Sequence, residues 1–462
     1  MKPIFTNDAI VFGILMIVLA LVFVTSSSDK KSWKSFYTYI PALLLCYFIP
    51  ALLHWPLNLI ASDWYEAGIF DLAKDLGISL PQNASVAEIE KLFGLAGIEE
   101  EVYEIHKSGS RLYFVASRYL LPASLLWLCL GIDFKGIINL GSKALIMFLT
   151  GTVGIIIGGP IALLIISYLF PNIVDFTPDQ LWRGLSTIAG SWIGGGANQT
   201  AMKEIFEVQG GVFATMVVVD IVVANIWMAF LLYGAKISDR IDGFFKADNS
   251  AIKELEKNVA DYQNSIKKIP TTTDLFVLLG VGFGGVGFSH WASGFITGLL
   301  EPYSQSLAEM GLSSLTSGFF WLVVFATTIG IALSFTRFRA LEGIGASRWG
   351  TIFIYILVAT IGTHMALGDI FNNLGLFLIG GIWMLVHVIL LLVVAWFIKA
   401  PFFFVAVGSQ ANVGGAASAP IVASAFSPSL APVGVLMAVL GYALGTYGAL
   451  VCAYLMQAAS GG

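Results

Sequence analysis

Charge is what this 462-residue chain has least of: 11% of its residues are Asp, Glu, Lys or Arg. Soluble domains carry about a quarter, so the scarcity excludes an ordinary water-soluble protein and implies an integral membrane protein. The net charge of -5 comes without a basic stripe, which leaves no footprint for nucleic acid. Cysteine is scarce too. Cys46, Cys129 and Cys452 all lie in apolar runs and read as small buried thiols rather than a disulfide framework. Five scattered histidines share no ligand spacing with them, so no zinc set is present. The chain has no GxSxG, HExxH, P-loop or CxxC pattern and is not read as an enzyme. Gly280-x-Gly282-x-x-Gly285 matches a dinucleotide fingerprint only formally, because the strand and βαβ setting are missing; helix packing or bending explains it.

What the chain does have is apolar length. It is 57% hydrophobic with a mean hydropathy of +0.84. Stretches of the roughly 20 residues that span a hydrocarbon core occur at 8–25, 38–54, 113–131, 143–170, 181–208, 212–233, 275–299, 315–335, 351–367, 376–398, 401–425 and 432–456. The first is a retained helix rather than a cleaved signal, since Asp8 precedes it and TSSSDKK follows. The fold class is therefore an all-α polytopic membrane protein with about 11–13 membrane segments. Two polar insertions interrupt it. Residues 56–111 are acid-rich, with Glu99, Glu100 and Glu101 in succession, and read as an external cap. Residues 235–273 mix both signs, have helical periodicity over 249–269, and link a first half, 1–234, to a second, 274–462. Asn83-Ala84-Ser85 matches a glycosylation sequon, which chance explains.

Two of the stretches are broken by polar, glycine-rich runs. Gly190–Ala201 reads GSWIGGGANQTA, and Gly408–Ala419 reads GSQANVGGAASA; at an offset of 218, Gly190-Ser191 falls on Gly408-Ser409 and Thr200-Ala201 on Ser418-Ala419. Met216, Asp220 and Asn225 fall on Met437, Gly441 and Thr446 at an offset of 221. Glycines and amides open a helix that lipid cannot solvate. Broken segments at corresponding positions of two halves point to the binding site of a secondary transporter.

Sidedness brings a conflict. Lys30, Lys31, Lys34, Lys135 and Lys143 place loops of the first half inside, and Arg337, Arg339, Arg348 and Lys399 do so for the second. If every stretch crosses, Arg337 ends outside. The glycine-rich 275–299 is accordingly expected to be kinked, re-entrant or two short pieces, the alternative being that one broken segment is a hairpin.

The motifs GGGANQTAMKEIF (194–206), VVDIVVANIWMAFLLYG (218–234), SQANVGGAASAP (409–420) and GVLMAVLGYALGTYGAL (434–450) resemble the DUF819 membrane proteins over nearly the whole chain. That family is grouped with the cation:proton antiporter and anion transporter superfamily, beside bile acid:sodium and glutamate:sodium symporters. The resemblance implies two inverted repeats, a core domain with a pair of broken, crossing helices, and a scaffold domain that dimerises. The 56–111 insertion is longer than the family leads one to expect.

Asp220 is the sharpest single residue, a carboxylate inside an apolar helix where insertion costs about 2.5–3.5 kcal/mol. It reads as the group that binds or relays Na+ or H+, or as a structural acid pinning a broken helix. Asn225, at i+5, joins it only through a third element. Ser191, Asn198, Gln199, Thr200, Ser409, Gln410, Asn412 and Ser418 offer oxygen donors for substrate, with a Na+ expected near Asp220, Asn198 and Asn412; no other cofactor is expected. Arg118, His364 and His387 read as a snorkelling arginine, a helix-end histidine and a packed histidine, with ion-pairing or relay roles as the alternatives. Gly154-x-x-x-Gly158 reads as close helix contact. The resulting expectation is a secondary transporter in the bacterial cytoplasmic membrane that moves a small, anionic organic solute with Na+ or H+ by alternating access. The alternatives are a cation/proton antiporter without organic substrate, a non-transporting receptor or scaffold, and a passive channel.

Overall fold

In a computed structural model of the chain, the structure describes residues 2–40, 42–81, 84, 86–132, 140–170, 173, 176–247, 269–310, 312–364, 375–427 and 430–460. The sequon asparagine, Lys135 and most of the 249–269 periodicity lie outside these residues. Among them, seven helices are long and apolar enough to cross a membrane, or up to nine if two bent pairs count as single spans. The all-α polytopic class holds. The number read from the sequence was higher because it included the 17-residue helix Ala346–Gly362 and the two broken stretches, whose halves are too short to span alone.

The chain divides into two compact units, Met1–Ser117 with Tyr355–Leu367, and Arg118–Ile354 with Gly368–Gly462. In the first, helix Asp8–Ser26 starts where the Asn7 side chain accepts from Ala9 and Ile10 N–H groups, an N-cap that satisfies two orphan donors. The polar insertion folds around its own small core of Ile69, Phe93 and Tyr103. Two three-residue strands that the sequence reading missed, Asp63–Tyr65 and Lys107–Gly109, pair antiparallel there. Lys107 lies on Glu90 at 2.7 Å and Asp63 at 3.3 Å.

The second unit holds both broken segments. Thr177 and Gln180 form a capping box and Pro178 opens helix Pro178–Gly194, a start signal written in the sequence. The helix stops at Gly195, whose φ of +76° is a backbone state open to glycine, and resumes as Gly196–Ile205. It does not continue in the same direction. Arg183 Nη1 donates to the Phe206 carbonyl at 3.0 Å, and the Trp182 and Phe206 rings lie 5.2 Å apart. The segment is thus a re-entrant hairpin that leaves by the side it entered.

The second break does the same. Phe402–Val413 and Gly415–Phe426 meet at Gly415, φ +58°. The ring of Phe426 lies 6.1 Å from that of Phe402 and 5.3 Å from that of Phe403, which closes the base. Near the tip, Gln410 Nε2 donates to Ser418 Oγ at 2.7 Å. Eight residues of straight helix would separate them by about 12 Å. The expectation of helices crossing through the membrane is corrected: both broken segments fold back, because contacts at their bases and not the breaks themselves set the direction.

The stretch at 275–299 is corrected as well. It is one continuous helix, Thr272–Leu300. Its glycines do not break it; a side chain at Gly282 or Gly285 would collide with Trp127 or Leu126, so they serve close packing. Hairpins remove the sidedness conflict instead. Lys143 Nζ donates to the Lys399 carbonyl at 3.0 Å, and Asp242 Oδ1 accepts from Phe402 N at 2.7 Å, so Lys143, Lys399, the end of the linker helix Ser238–Phe245 and the second hairpin's base share one side. With the first hairpin re-entrant, counting helices from Lys143 returns Arg337 and Arg339 to that same side.

Helix Ser142–Leu169 packs along Gly375–Ile398, and there Gly154 faces the His387 backbone and Gly158 the Trp383 ring, the close contact read from the sequence. All three cysteines are buried and free.

Candidate functional site

The two hairpin tips meet in the interior of the second unit. A side chain on Gly415 would lie 4.0 Å from Gly195 Cα, so the breaks abut. The last helix, Ala431–Ser460, presents Gly441 to both tips: a Cβ there would meet Ile193 O at 2.7 Å and Ala411 O at 3.5 Å. Both returning half-helices start at this point, so two helix N-termini converge, each with free N–H groups and about half a positive charge.

Asp220, from helix Gly210–Lys236, reaches the first tip and is 4% exposed. Its Oδ1 accepts from Trp192 Nε1 at 2.7 Å; its Oδ2 accepts from Ser191 Oγ at 2.6 Å and Gln199 Nε2 at 2.9 Å. Three neutral donors hold the carboxylate, and none of them is a cation. Gln199 cannot turn over without setting its oxygen against the carboxylate, so its Oε1 stays buried without a hydrogen-bond partner. Gln410 Oε1, beside the second tip, is buried and unpartnered too. A buried acceptor in that state costs about 1–3 kcal/mol. A cation, or a ligand bearing a donor, would relieve it.

The second tip carries its own network. Ser409 Oγ, the counterpart of Ser191, accepts from Trp227 Nε1 at 2.8 Å and bonds His387 Nε2 at 2.8 Å. The other ring nitrogen, Nδ1, lies 3.0 Å from the Gly151 carbonyl. Asn412 donates to Phe148 O and Gly408 O and accepts from Thr152 Oγ1 at 2.7 Å. Asn198 is built alike: it donates to Gly194 O and Tyr442 O and accepts from Thr446 Oγ1 at 2.6 Å.

Of the residues named from the sequence, Ser191 and Gln199 join Asp220, and Ser418 joins Gln410. The amide oxygens of Asn198 and Asn412, named with Asp220 for a Na+, each accept from a threonine, and neither side chain hydrogen-bonds to Asp220. Thr200 Oγ1 donates to its own Gly196 carbonyl, and Asn225 Nδ2 to Ile221 O, so neither side chain bonds to Asp220. Arg118 is not its partner either; it lies 3.9 Å from Glu204 and over the Phe319 ring at 4.3 Å. His364 rests on Thr360 O at its helix end.

Sequence reasoning missed four groups. Trp192 donates to Asp220, while Trp227 and Thr152 bond Ser409 and Asn412 of the second hairpin. Lys203 and Glu204, 2.9 Å apart and 11% and 8% exposed, form a buried charge cluster with Arg118. A Lys-Glu pair within an apolar segment was the available signal. Arg118 itself sits in a π-helical turn, Ala116–Leu120, just before Pro122. Pro122 has no N–H for the Arg118 carbonyl, which accepts from His290 Nε2 at 2.9 Å instead. Among the described residues no three His, Cys, Asp or Glu side chains group as metal ligands.

The model of the family "Protein of unknown function (DUF819)" matches residues 96–459. The chain belongs to that family. It is also 26% identical over 351 residues to an uncharacterized membrane protein, YjcL, of Bacillus subtilis (strain 168), covering 73% of this chain and 82% of that one. It is a multi-pass membrane protein.

Proposed function

We propose that this member of the DUF819 family is a secondary active transporter that moves a small anionic organic solute by alternating access, coupled to Na+ or H+. One observation carries the reading: two re-entrant hairpins from corresponding places in the two halves meet tip to tip at Gly195 and Gly415, beside a buried carboxylate. Irregular backbone at membrane depth is tolerated only where protein or a cavity surrounds it, and such tips are where transporters hold substrate. The positive-inside rule assigns the Lys143 and Lys399 side to the cytoplasm. The first hairpin then enters from outside and the second from inside, which supports inverted repeats.

Converging helix N-termini suit an anionic group, while Asp220 and the unpartnered Gln199 oxygen suit the coupling cation. A pure cation/proton antiporter would leave the converging N–H groups without a ligand. A non-transporting receptor would not need two such tips.

The boundary that would move combines apolar packing with polar contacts. Helices Leu121–Leu130, Thr272–Leu300 and Gly318–Ser334 pack together as one group, and the hairpins pack with the last helix. Across that boundary run Thr327–Thr446 at 3.2 Å, Thr328–Tyr447 at 2.7 Å and the Arg118–Glu204 pair. Exchangeable polar contacts of this kind permit sliding.

The deciding experiment is thermal stability of the purified protein against Na+ at constant ionic strength, with K+ and choline controls. Ligand at a hundredfold excess over Kd stabilises by about 2.7 kcal/mol. Na+-specific stabilisation that disappears in Asp220→Asn supports the site. If neither Na+ nor pH shifts the melting temperature through Asp220, ion coupling at this residue is refuted.

A further inference from the structure

We propose that His387 is a second ion-coupling site, which takes a proton and thereby turns the Ser409 hydroxyl toward an anionic ligand at the hairpin tips. The inference rests on the reading of the chain as a coupled transporter and goes beyond it by assigning the proton and the polarity of the solute.

The geometry dictates the hydrogens. A backbone carbonyl only accepts, so His387 Nδ1, 3.0 Å from Gly151 O, carries the proton of the neutral ring. Nε2 is then an acceptor, and Ser409 Oγ must donate to it across 2.8 Å. Trp227 Nε1 can only donate, so Ser409 Oγ accepts from it. In this state the hydroxyl proton is spent on the ring. Add a proton to Nε2 and the direction reverses. Ser409 Oγ then accepts from both Nε2–H and the indole, and its own hydrogen is released to another acceptor. One proton therefore brings a positive charge and a free donor to the tip together, and an anion binds best when the proton is bound. The only covalent change is the Nε2–H bond formed by the added proton; the Ser409 O–H bond rotates without breaking.

A related set of opposite polarity stands at the other tip, where the indole bonds the carboxylate rather than the serine. Ser191, which falls on Ser409 in the internal repeat, bonds Asp220, and an indole, Trp192, completes the set. One hairpin serine faces a carboxylate and the other an imidazole. Both ring nitrogens of His387 are engaged, and two glycines on the opposing helix, Gly151 and Gly154, admit its ring.

No nearby charge fixes the ring's state. The elements packed on helix Gly375–Ile398 are Ser142–Leu169, Gly210–Lys236 and Phe402–Val413. Their charged residues are Lys143, which reaches Lys399 O, Asp220, which is bonded to the first hairpin, and Lys236 in a last helical turn. Their tyrosines Tyr168 and Tyr233 are 86% and 64% exposed. Trp192 of the first hairpin stacks near Trp383, and the charges of that hairpin's first helix, Asp179 and Arg183, pair with each other.

The test is charge displacement by the full chain in proteoliposomes on a solid-supported membrane after a pH jump, and separately after a Na+ jump, with no solute added. His387→Gln keeps a donor for Gly151 O but cannot take a proton. It is expected to lose the pH-jump charge and to keep the Na+ response, whereas Asp220→Asn keeps the pH-jump charge. An unchanged pH-jump charge in His387→Gln, or its loss only in Asp220→Asn, overturns the proposal and leaves the transporter reading intact. A wild-type protein silent to both jumps overturns both. Should His387→Gln not fold, Ser409→Ala decides: it retains the pH-jump charge with a displaced pH midpoint, and an undisplaced midpoint refutes the reversal.

Discussion

Replacing Asp220 separates structural from ionic roles, because the network around it responds differently to two substitutions. Asp220→Ala removes the acceptor of three buried donors, Ser191 Oγ, Trp192 Nε1 and Gln199 Nε2. Each orphaned donor costs about 1–3 kcal/mol. Ser191 can rotate to a carbonyl one turn back and Gln199 can turn over, so most of the loss falls on Trp192, and the total comes to roughly 2–4 kcal/mol. Asp220→Asn is gentler. The new amide oxygen still accepts from Trp192, and its NH2 group meets Ser191 and a turned Gln199, whose unpartnered Oε1 is thereby satisfied. That substitution is expected to cost about 1 kcal/mol or less. Inactivation half-lives of the solubilised protein at fixed temperature measure the difference, since membrane proteins unfold irreversibly. The expected order is wild type, Asp220→Asn, then Asp220→Ala well below. Equal half-lives for all three would mean that the carboxylate does not hold the tip, and the site's geometry would be wrong.

Other consequences follow from the same contacts. Arg183→Ala removes the charged donor that closes the first hairpin on Phe206 O and is expected to lose about 1.5–3 kcal/mol; hydrogen exchange should rise at 196–206 first, and uniform exchange would refute a hairpin closed at its base. Gly195→Ala places a side chain at φ +76°, ψ −173°, a region essentially reserved for glycine, and is expected to cost about 1–3 kcal/mol, read as a shortened inactivation half-life, which an unaltered half-life contradicts. In the polar insertion, burial opposes charge on Lys107, but Glu90 and Asp63 outweigh it and hold the ammonium above its ordinary range. A raised folded value gives stability that is full below the unfolded value of about 10.4 and fades as pH rises through the folded one. Limited proteolysis of 56–111 in the full chain should therefore be flat from pH 7 to 9 in this respect, while Lys107→Met, roughly 1 kcal/mol weaker after solvent screening, is cut faster at both. Trp227→Phe leaves Ser409 Oγ one donor short and should disturb the second tip alone, checked by cysteine accessibility at positions 410 and 199.

Much of this was legible in the residues. The apolar stretches gave the class, since lipid demands helices whose backbone satisfies itself. Gly195 and Gly415 gave the breaks, because the sequence runs GGGANQ and VGGAAS cannot propagate a helix cheaply in that medium. Asp220, Ser191 and Gln199 were legible as polar groups in apolar surroundings. The direction of the chain after each break was not. A glycine permits a reversal without requiring one, and what decides is whether Arg183 finds Phe206 O and Phe402 finds Phe426, pairs separated by some two dozen positions. The same holds for the site. Residue types told which side chains could bind a ligand, but only tertiary packing decided that Thr446 and Thr152 would occupy the two asparagine oxygens while those of Gln199 and Gln410 stayed open. Hydrogen-bonding capacity belongs to a residue and is written in the sequence; which capacity is left over depends on every neighbour, and the fold alone brings those neighbours together.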